Sequence, residues 1–123
     1  MAINVKGDTP AESPDGNTLY FTRGYPHEIS LWSTPVAGGE ETKLLDSIQS
    51  RFAIRRRGIY FVRAGNKGRG EICLYEFGSG QIRTVVTLER PIGRISVSPD
   101  ERTILFAQRD EAGSDLMLVE NFR

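Results

Sequence analysis

The sequence predicts an all-β protein built from about three four-stranded units, and three observations support this prediction. A segment that begins at Ser13, SPDGNTLYF, recurs as SPDERTILF from Ser98, about two periods of roughly 40–45 residues later. A degraded middle copy, with a tight turn and the apolar triplet Ile59–Phe61, lies between them. Aromatic and β-branched residues dominate the apolar runs, and helical periodicity is absent, which favours strands. Four-stranded units that repeat at this period are the blades of a β-propeller.

Each unit contains up to four predicted strands, which we name A to D from the innermost strand outwards. The A strands lie near residues 11–13, 51–54 and 94–98. The B strands are the apolar triplets at residues 19–21, 59–61 and 104–106. The C strands contain Trp32, Tyr75 and Leu118, and D strands follow around Leu44 and Val85. Glycines at positions 38–39 and at 78 and 80 predict hairpin turns between C and D.

The order of the strands predicts how the chain is divided. Residues 8–48 form the first blade, 49–90 the second and 91–123 the third, which lacks its own D strand. Residues 2–6 (AINVK) precede the first A strand by about the spacing that separates the other D and A strands. We therefore predict that residues 1–7 supply the outermost strand of a last blade.

Three blades are too few to close a ring, because propellers have about four to eight. An open arc would leave two apolar blade faces in water, well above the few hundred Å² that a soluble monomer usually exposes. Two copies arranged head to tail would give a six-bladed ring, since a repeated heterologous contact closes when the rotation fits. The sequence thus predicts a homodimer; the alternative is that the chain is the C-terminal half of a longer propeller.

Composition excludes some classes of partner. The chain has 123 residues with 16 basic and 16 acidic side chains, so its formal net charge is zero. Nucleic-acid and membrane-surface binders carry a basic excess, so neither partner is expected. No apolar run approaches the about 20 residues of a transmembrane helix, and residues 1–10 hold no apolar core of a secretory signal. The cellular compartment stays open.

Two stretches resemble a known family. The segment from Ser13 to Phe21, with Leu31-Trp32 and the later Gly38-Gly39-Glu40, resembles the TolB-like (WD-repeat-like) β-propellers. The last SPD, with GSDLMLVENF from Gly113, resembles the final blade of propellers attached to bacterial winged-helix regulators. The resemblance covers nearly the whole chain and implies six- to eight-bladed rings that mostly bind proteins. The triplet at residues 55–57 and Glu101, which replaces a turn glycine, depart from the family pattern.

Four residues are the candidates for binding a ligand or partner. Tyr25 and His27 lie in the B–C loop of the first blade, and propellers bind partners through their loops. Arg51 and Arg94, together with Glu12, would lie near the central channel if the A strands line it. There the two arginines would hold an anionic group.

The sequence predicts no catalytic residue, no metal ligand and no cofactor. Asp15 and Asp100 are interpreted as turn residues, because a calcium loop needs several more oxygen ligands. His27 is the single histidine, and it has no nucleophile or orienting partner beside it in the sequence. Cys73, the single cysteine, is predicted to be a packed residue of its strand.

Three interpretations of the function follow. The first is a non-catalytic binding or scaffold module for a protein or peptide, supported by the fold and the lack of catalytic motifs. The second is a ligand-binding or hydrolase-type propeller with a site at the channel mouth, which one histidine per chain makes less favourable. The third is an orphan fragment of a longer propeller. A fold by itself does not assign a function.

Overall fold

The fold is taken from a computed structural model, which describes residues 7–24, 28–49, 52–110, 113–120 and 122. These residues form eleven strands and a 3₁₀ turn at Asn66–Gly68 between the sixth and seventh strands. The strands are β1 Asp8–Glu12, β2 Thr18–Arg23, β3 Ile29–Pro35, β4 Thr42–Ile48, β5 Phe52–Ile54, β6 Gly58–Ala64, β7 Gly70–Glu76, β8 Ile82–Leu88, β9 Ile92–Val97, β10 Thr103–Asp110 and β11 Gly113–Glu120.

The strands build three antiparallel sheets in which neighbours in sequence are neighbours in space. The first sheet has the order β1-β2-β3-β4 and the second the order β5-β6-β7-β8. The third sheet has the order β9-β10-β11, so three strands of it lie within the described residues. The prediction of an all-β chain made of repeated antiparallel units is therefore confirmed. The strand predicted for residues 2–6 lies outside the described residues.

The chain divides into two compact units, residues 1–50 and residues 51–123. The first unit holds the first sheet, whose buried side chains include Phe21, Leu31 and Leu45. Its edge strand β1 begins at Asp8, earlier than the A strand predicted near residue 11. Pro10 lies in the middle of β1, where the pairing with β2 shifts register. Proline has no N–H for a ladder bond, so an edge strand with an irregular register accommodates it.

The second unit contains the second and third sheets, and one apolar core joins them. Tyr60, Leu74 and Ile72 from the second sheet cluster with side chains from the third. The third sheet contributes Ile92, Val97, Ile104 and Phe106, all buried. Consecutive apolar residues in β6 are buried on both faces, with Ile59, Tyr60, Phe61 and Val62 each at most 1% exposed. This explains why the sequence of that strand does not alternate.

Two hydrogen-bonded contacts link the second and third sheets. In the first, the Arg55 Nε atom donates to the Val97 carbonyl oxygen at 2.9 Å. The Nη1 atom of Arg55 also donates to the neighbouring Ile54 carbonyl at 2.7 Å. Across the same two sheets, the Tyr60 hydroxyl donates to Glu101 Oε1 at 2.8 Å. The two departures from the repeat pattern therefore lie where the sheets are linked.

Candidate binding surface

The three repeat turns position the strands that carry the candidate surface. In the first turn, the Ser13 N–H donates to the Thr18 carbonyl oxygen. The Asp15 carboxylate accepts hydrogen bonds from the Ser13 hydroxyl and from the Asn17 N–H, the latter at 2.9 Å. The turn at residues 98–103 repeats the same bonds. Asp15 and Asp100 thus stabilise these turns through hydrogen bonds, as predicted from the motif. The donors to Asp15, first the Ser13 hydroxyl and then the Asn17 N–H, lower the pKa of its carboxyl below 3.8.

The middle turn is shorter and has a different chemistry. The Arg55 N–H pairs with the Gly58 carbonyl, so only residues 56 and 57 lie between them. The guanidinium of Arg55 stabilises the turn by donating to the Val97 and Ile54 carbonyl oxygens, while Arg56 is exposed. Arg55 therefore has a structural role, so the basic triplet is not a solvated patch throughout.

Glu101 lies in the last turn at the position where the first turn has Gly16. Its φ of 59° is in the left-handed region that favours glycine. The side chain is 3% exposed, and its two oxygens face the Tyr60 hydroxyl and, at 3.4 Å, the Arg57 N–H. These acceptor contacts offset the cost of the backbone conformation and of burying a carboxylate.

The predicted site residues are only partly within the described residues. Tyr25, His27 and Arg51 lie outside them, so whether they gather at one site stays a prediction. Arg94 lies in β9, the first strand of the third sheet, and its side chain is exposed. Glu12 ends β1 of the first sheet.

Arg94 belongs to an apolar surface on the third sheet that sequence reasoning did not identify. Leu105 is paired with both Leu118 and Ser96, and Ala107 is paired with Leu116. Paired residues share a face and alternate residues return to it. We call this surface the outer face; its members are Arg94, Ser96, Leu105, Ala107, Leu116 and Leu118.

The outer face of the third sheet is exposed, whereas Ile104 and Phe106 on the opposite face belong to the core. Leu105 is 40%, Leu116 72% and Leu118 56% exposed, whereas Ile104 and Phe106 on the other face are at most 2% exposed. A shallow groove of about 250 Å³ runs over it, lined by Arg94, Leu105 and Leu116 among others. Exposed apolar groups that adjoin one another are typical of association sites. The sequence feature that could have indicated this surface is the run Leu116-Met117-Leu118, which places apolar side chains on both faces of the last strand.

The first sheet has a second surface of mixed character. Phe21 is paired with Trp32, and the Arg23 guanidinium lies 4.5 Å from the centroid of the Trp32 ring and 5.1 Å from that of Phe21. Arg23 also forms an ion pair with Glu41, and the Trp32 indole N–H donates to Ser30 Oγ at 2.8 Å. Trp32 remains half-buried. We call this surface the Trp32 face.

The described residues include no group of three or more His, Cys, Asp or Glu side chains that could hold a metal ion. Cys73 is a buried free thiol, and burial raises the pKa of that thiol, only partly opposed by Arg63. This agrees with its predicted packing role, because a reactive cysteine has a lowered pKa and some exposure. Within the part of the chain that the structure describes, no helix is long and apolar enough to cross a membrane.

Comparison with known proteins identifies the class of fold. No family model matches the sequence, and no curated protein matches it. Solved structures do: TolB from Acinetobacter baumannii superposes with a TM-score of 0.73 at 18% identity, over 94% of this chain and 30% of that one. A putative TolB from Agrobacterium tumefaciens gives 0.71 at 17% identity, over 89% and 40%. The chain therefore has the fold of TolB-like β-propellers.

A third structure comes from another kind of protein. The β-propeller domain of the Trilobed protease from Pyrococcus furiosus, described as having an open velcro topology, gives a TM-score of 0.64 at 12% identity. The match covers 94% of this chain and 40% of that one. The chain thus spans less than half the length of the propeller proteins it matches. Attachment to a winged-helix regulator stays a prediction.

Proposed function

We propose that the chain is a non-catalytic binding and scaffold module of the β-propeller class, and that it binds a second copy of itself to complete a six-bladed ring. The outer face of the third sheet carries this proposal. Its leucines are exposed, whereas Ile104 and Phe106 on the other face of the same sheet are buried in the core. In a propeller, each blade lies between two neighbouring blades, so we expect an exposed apolar blade face to pack against another blade.

The surface that would meet the outer face is the Trp32 face of the second copy. It belongs to a different sheet, so the contact is heterologous and is repeated at the other junction of the ring. Half-buried Trp32 has the guanidinium of the Arg23–Glu41 ion pair over its ring, and aromatic and arginine side chains are frequent anchors of protein interfaces. The outer face offers small and branched side chains for it to pack on.

The energies favour a closed ring over a single contact. Burying what remains exposed of the three leucines would contribute about 1–2 kcal/mol each. One such contact therefore falls near or below the lower end of the about 4–15 kcal/mol that association costs. A ring of two copies forms the contact twice in one association event, which favours the two-copy ring over an open pair.

Light scattering across a dilution series tests this proposal. We expect the wild-type chain to have the mass of two copies. Leu116→Arg should weaken the dimer by about tenfold or more, because it places an unpaired charge in the junction. The side chain of Leu116 is 72% exposed, so the substitution should leave the fold intact.

Ile82→Arg is the matched control. Ile82 is 46% exposed on β8, the outermost strand of the second sheet, and lies outside both proposed faces. It should leave the mass unchanged. A wild-type monomer at all concentrations, or equal weakening by the two arginine variants, would contradict the ring. Ligand binding at the loop with Tyr25 and His27, and at Arg51 and Arg94, remains a prediction for the assembled ring.

A further inference from the structure

We infer that β11 is the acceptor for a fourth strand, and that residues 2–6 of a second copy donate it. This inference rests on the proposed ring and names the segment that completes the junction. It is carried by the edge of the third sheet that has no partner among the described strands, by the exposure of the side chains next to that edge, and by the position of residues 2–6 in the order of strands.

The free edge is visible in the strand pairing. In the first sheet β3 lies between β2 and β4, and in the second β7 lies between β6 and β8. Among the described strands, β11 is paired with β10 alone, along its whole length from Gly113 to Glu120. A strand edge of eight residues leaves a row of backbone donors and acceptors for another strand.

Met117 indicates that a strand is missing beside it. Its partner in the ladder is Phe106, which is 2% exposed, so Met117 projects toward the core side of the sheet. Even so, Met117 is 43% exposed. Cys73, which pairs with Phe61 in the second sheet as Met117 pairs with Phe106, is fully buried in a strand that has a neighbour on each side. The exposure of Met117 follows from the missing neighbour.

The sequence order identifies the donor. A fourth strand is followed closely by the first strand of the next sheet in both observed cases. β4 ends at Ile48 and β5 begins at Phe52, while β8 ends at Leu88 and β9 begins at Ile92. Residues 2–6 stand in the same relation to β1, which begins at Asp8. Their sequence, AINVK, alternates apolar and polar residues at positions 3 to 6, as a strand at a sheet edge does.

Gly7, which follows this segment in the sequence, lies against the first sheet. A Cβ atom there would lie 2.6 Å from Phe21 Cδ2 and 2.8 Å from the Thr22 carbonyl oxygen, so the backbone lies against β2. Residues 2–6 directly precede Gly7 in the sequence. Pairing with β11 of the same chain would need a ring of three blades, below the about four that propellers require. We therefore assign the donated strand to a second copy.

Disulfide cross-linking between two variants tests the donation, in a Cys73→Ala background. One variant carries Leu118→Cys on β11. The others carry a single cysteine at each of positions 2 to 6 in turn. Each pair is unfolded, mixed and refolded, so that the copies recombine, and is then oxidised. Because the two cysteines lie on different chains, a covalent dimer reports contact between copies.

We expect the cross-linking yield to alternate with a period of two along positions 2–6, since alternate residues of a strand share a face. Ile82→Cys replaces Leu118→Cys as the control and should give no alternation. Absence of alternating cross-links while light scattering still gives a dimer would overturn the strand donation and leave the ring standing. A monomer in both measurements would overturn the two together.

Deletion of residues 2–6 provides a second measurement that needs no cysteine. It should raise the dissociation constant of the dimer by about tenfold or more, because the backbone bonds of the added strand are lost. The secondary structure seen by circular dichroism should be retained. A dimer of unchanged affinity after the deletion would overturn the inference.

Discussion

At the scale of single residues, the sequence is informative wherever the interactions are local. The role of Asp15 is predictable because its partners, Ser13 and Asn17, lie within two residues of it. The role of Glu101 is not, because its partner Tyr60 is 41 positions away in another sheet. From the sequence, Glu101 was a departure from the repeat; in the structure it is a buried acceptor.

The turn carboxylate gives a prediction of pH dependence. The bonds from Ser13 and Asn17 favour ionised Asp15, so its pKa in the folded chain lies below the ordinary 3.8. Its contribution to stability is therefore complete above a pH of about 4 and is lost as the pH falls through the lower folded value. Asp15→Asn removes this titration. Urea unfolding between about pH 6 and pH 2.5 should show a smaller acid-induced loss of stability for the variant; parallel curves would contradict this.

At the scale of strands and sheets, the repeat predicted the order of the described strands. It placed their ends less well, as the early start of β1 at Asp8 shows. The apolar triplets were reliable because they form inner strands of the sheets, and in β6 both faces are buried, which leaves little tolerance for polar residues. The links between sheets were not predictable, since Arg55 and Val97 meet only after both sheets have formed.

The contact between Tyr60 and Glu101 should stabilise the junction of the second and third sheets. Glu101→Ala keeps the unfavourable φ but leaves the buried Tyr60 hydroxyl without this acceptor, so we expect a loss of about 1–3 kcal/mol in the free energy of unfolding. Tyr60→Phe should cost less in the Glu101→Ala background than in the wild type. Glu101→Gln, which retains an acceptor oxygen, is the matched control. Denaturant unfolding of the four variants measures the coupling, and additive losses would argue against it.

At the scale of the whole molecule, the sequence predicted the class of fold but only part of the candidate surface. Arg94 was singled out, and the exposed leucines around it were not. Leu105 belongs to an apolar triplet that looks like the other two, and its exposure depends on whether a further sheet covers it. A repeat in the sequence does not say which copy is left without a neighbour.

The proposed ring predicts that stability depends on concentration. Association stabilises the folded chain by mass action, so the midpoint of thermal unfolding should rise with protein concentration. Calorimetry over about a hundredfold range of concentration measures this. Leu116→Arg should flatten the dependence and Ile82→Arg should preserve it. A wild-type midpoint that does not move would contradict association as a source of stability.

The outer face and the Trp32 face lie on different sheets of one chain, and this has a consequence for growth. Two unlike faces that fit each other can be joined without limit, so an arc that fails to close would add copies into a filament. In the proposed ring, closure would end growth because the last free face would meet the first. A substitution that alters the angle of the junction without weakening it would turn a finite particle into a polymer.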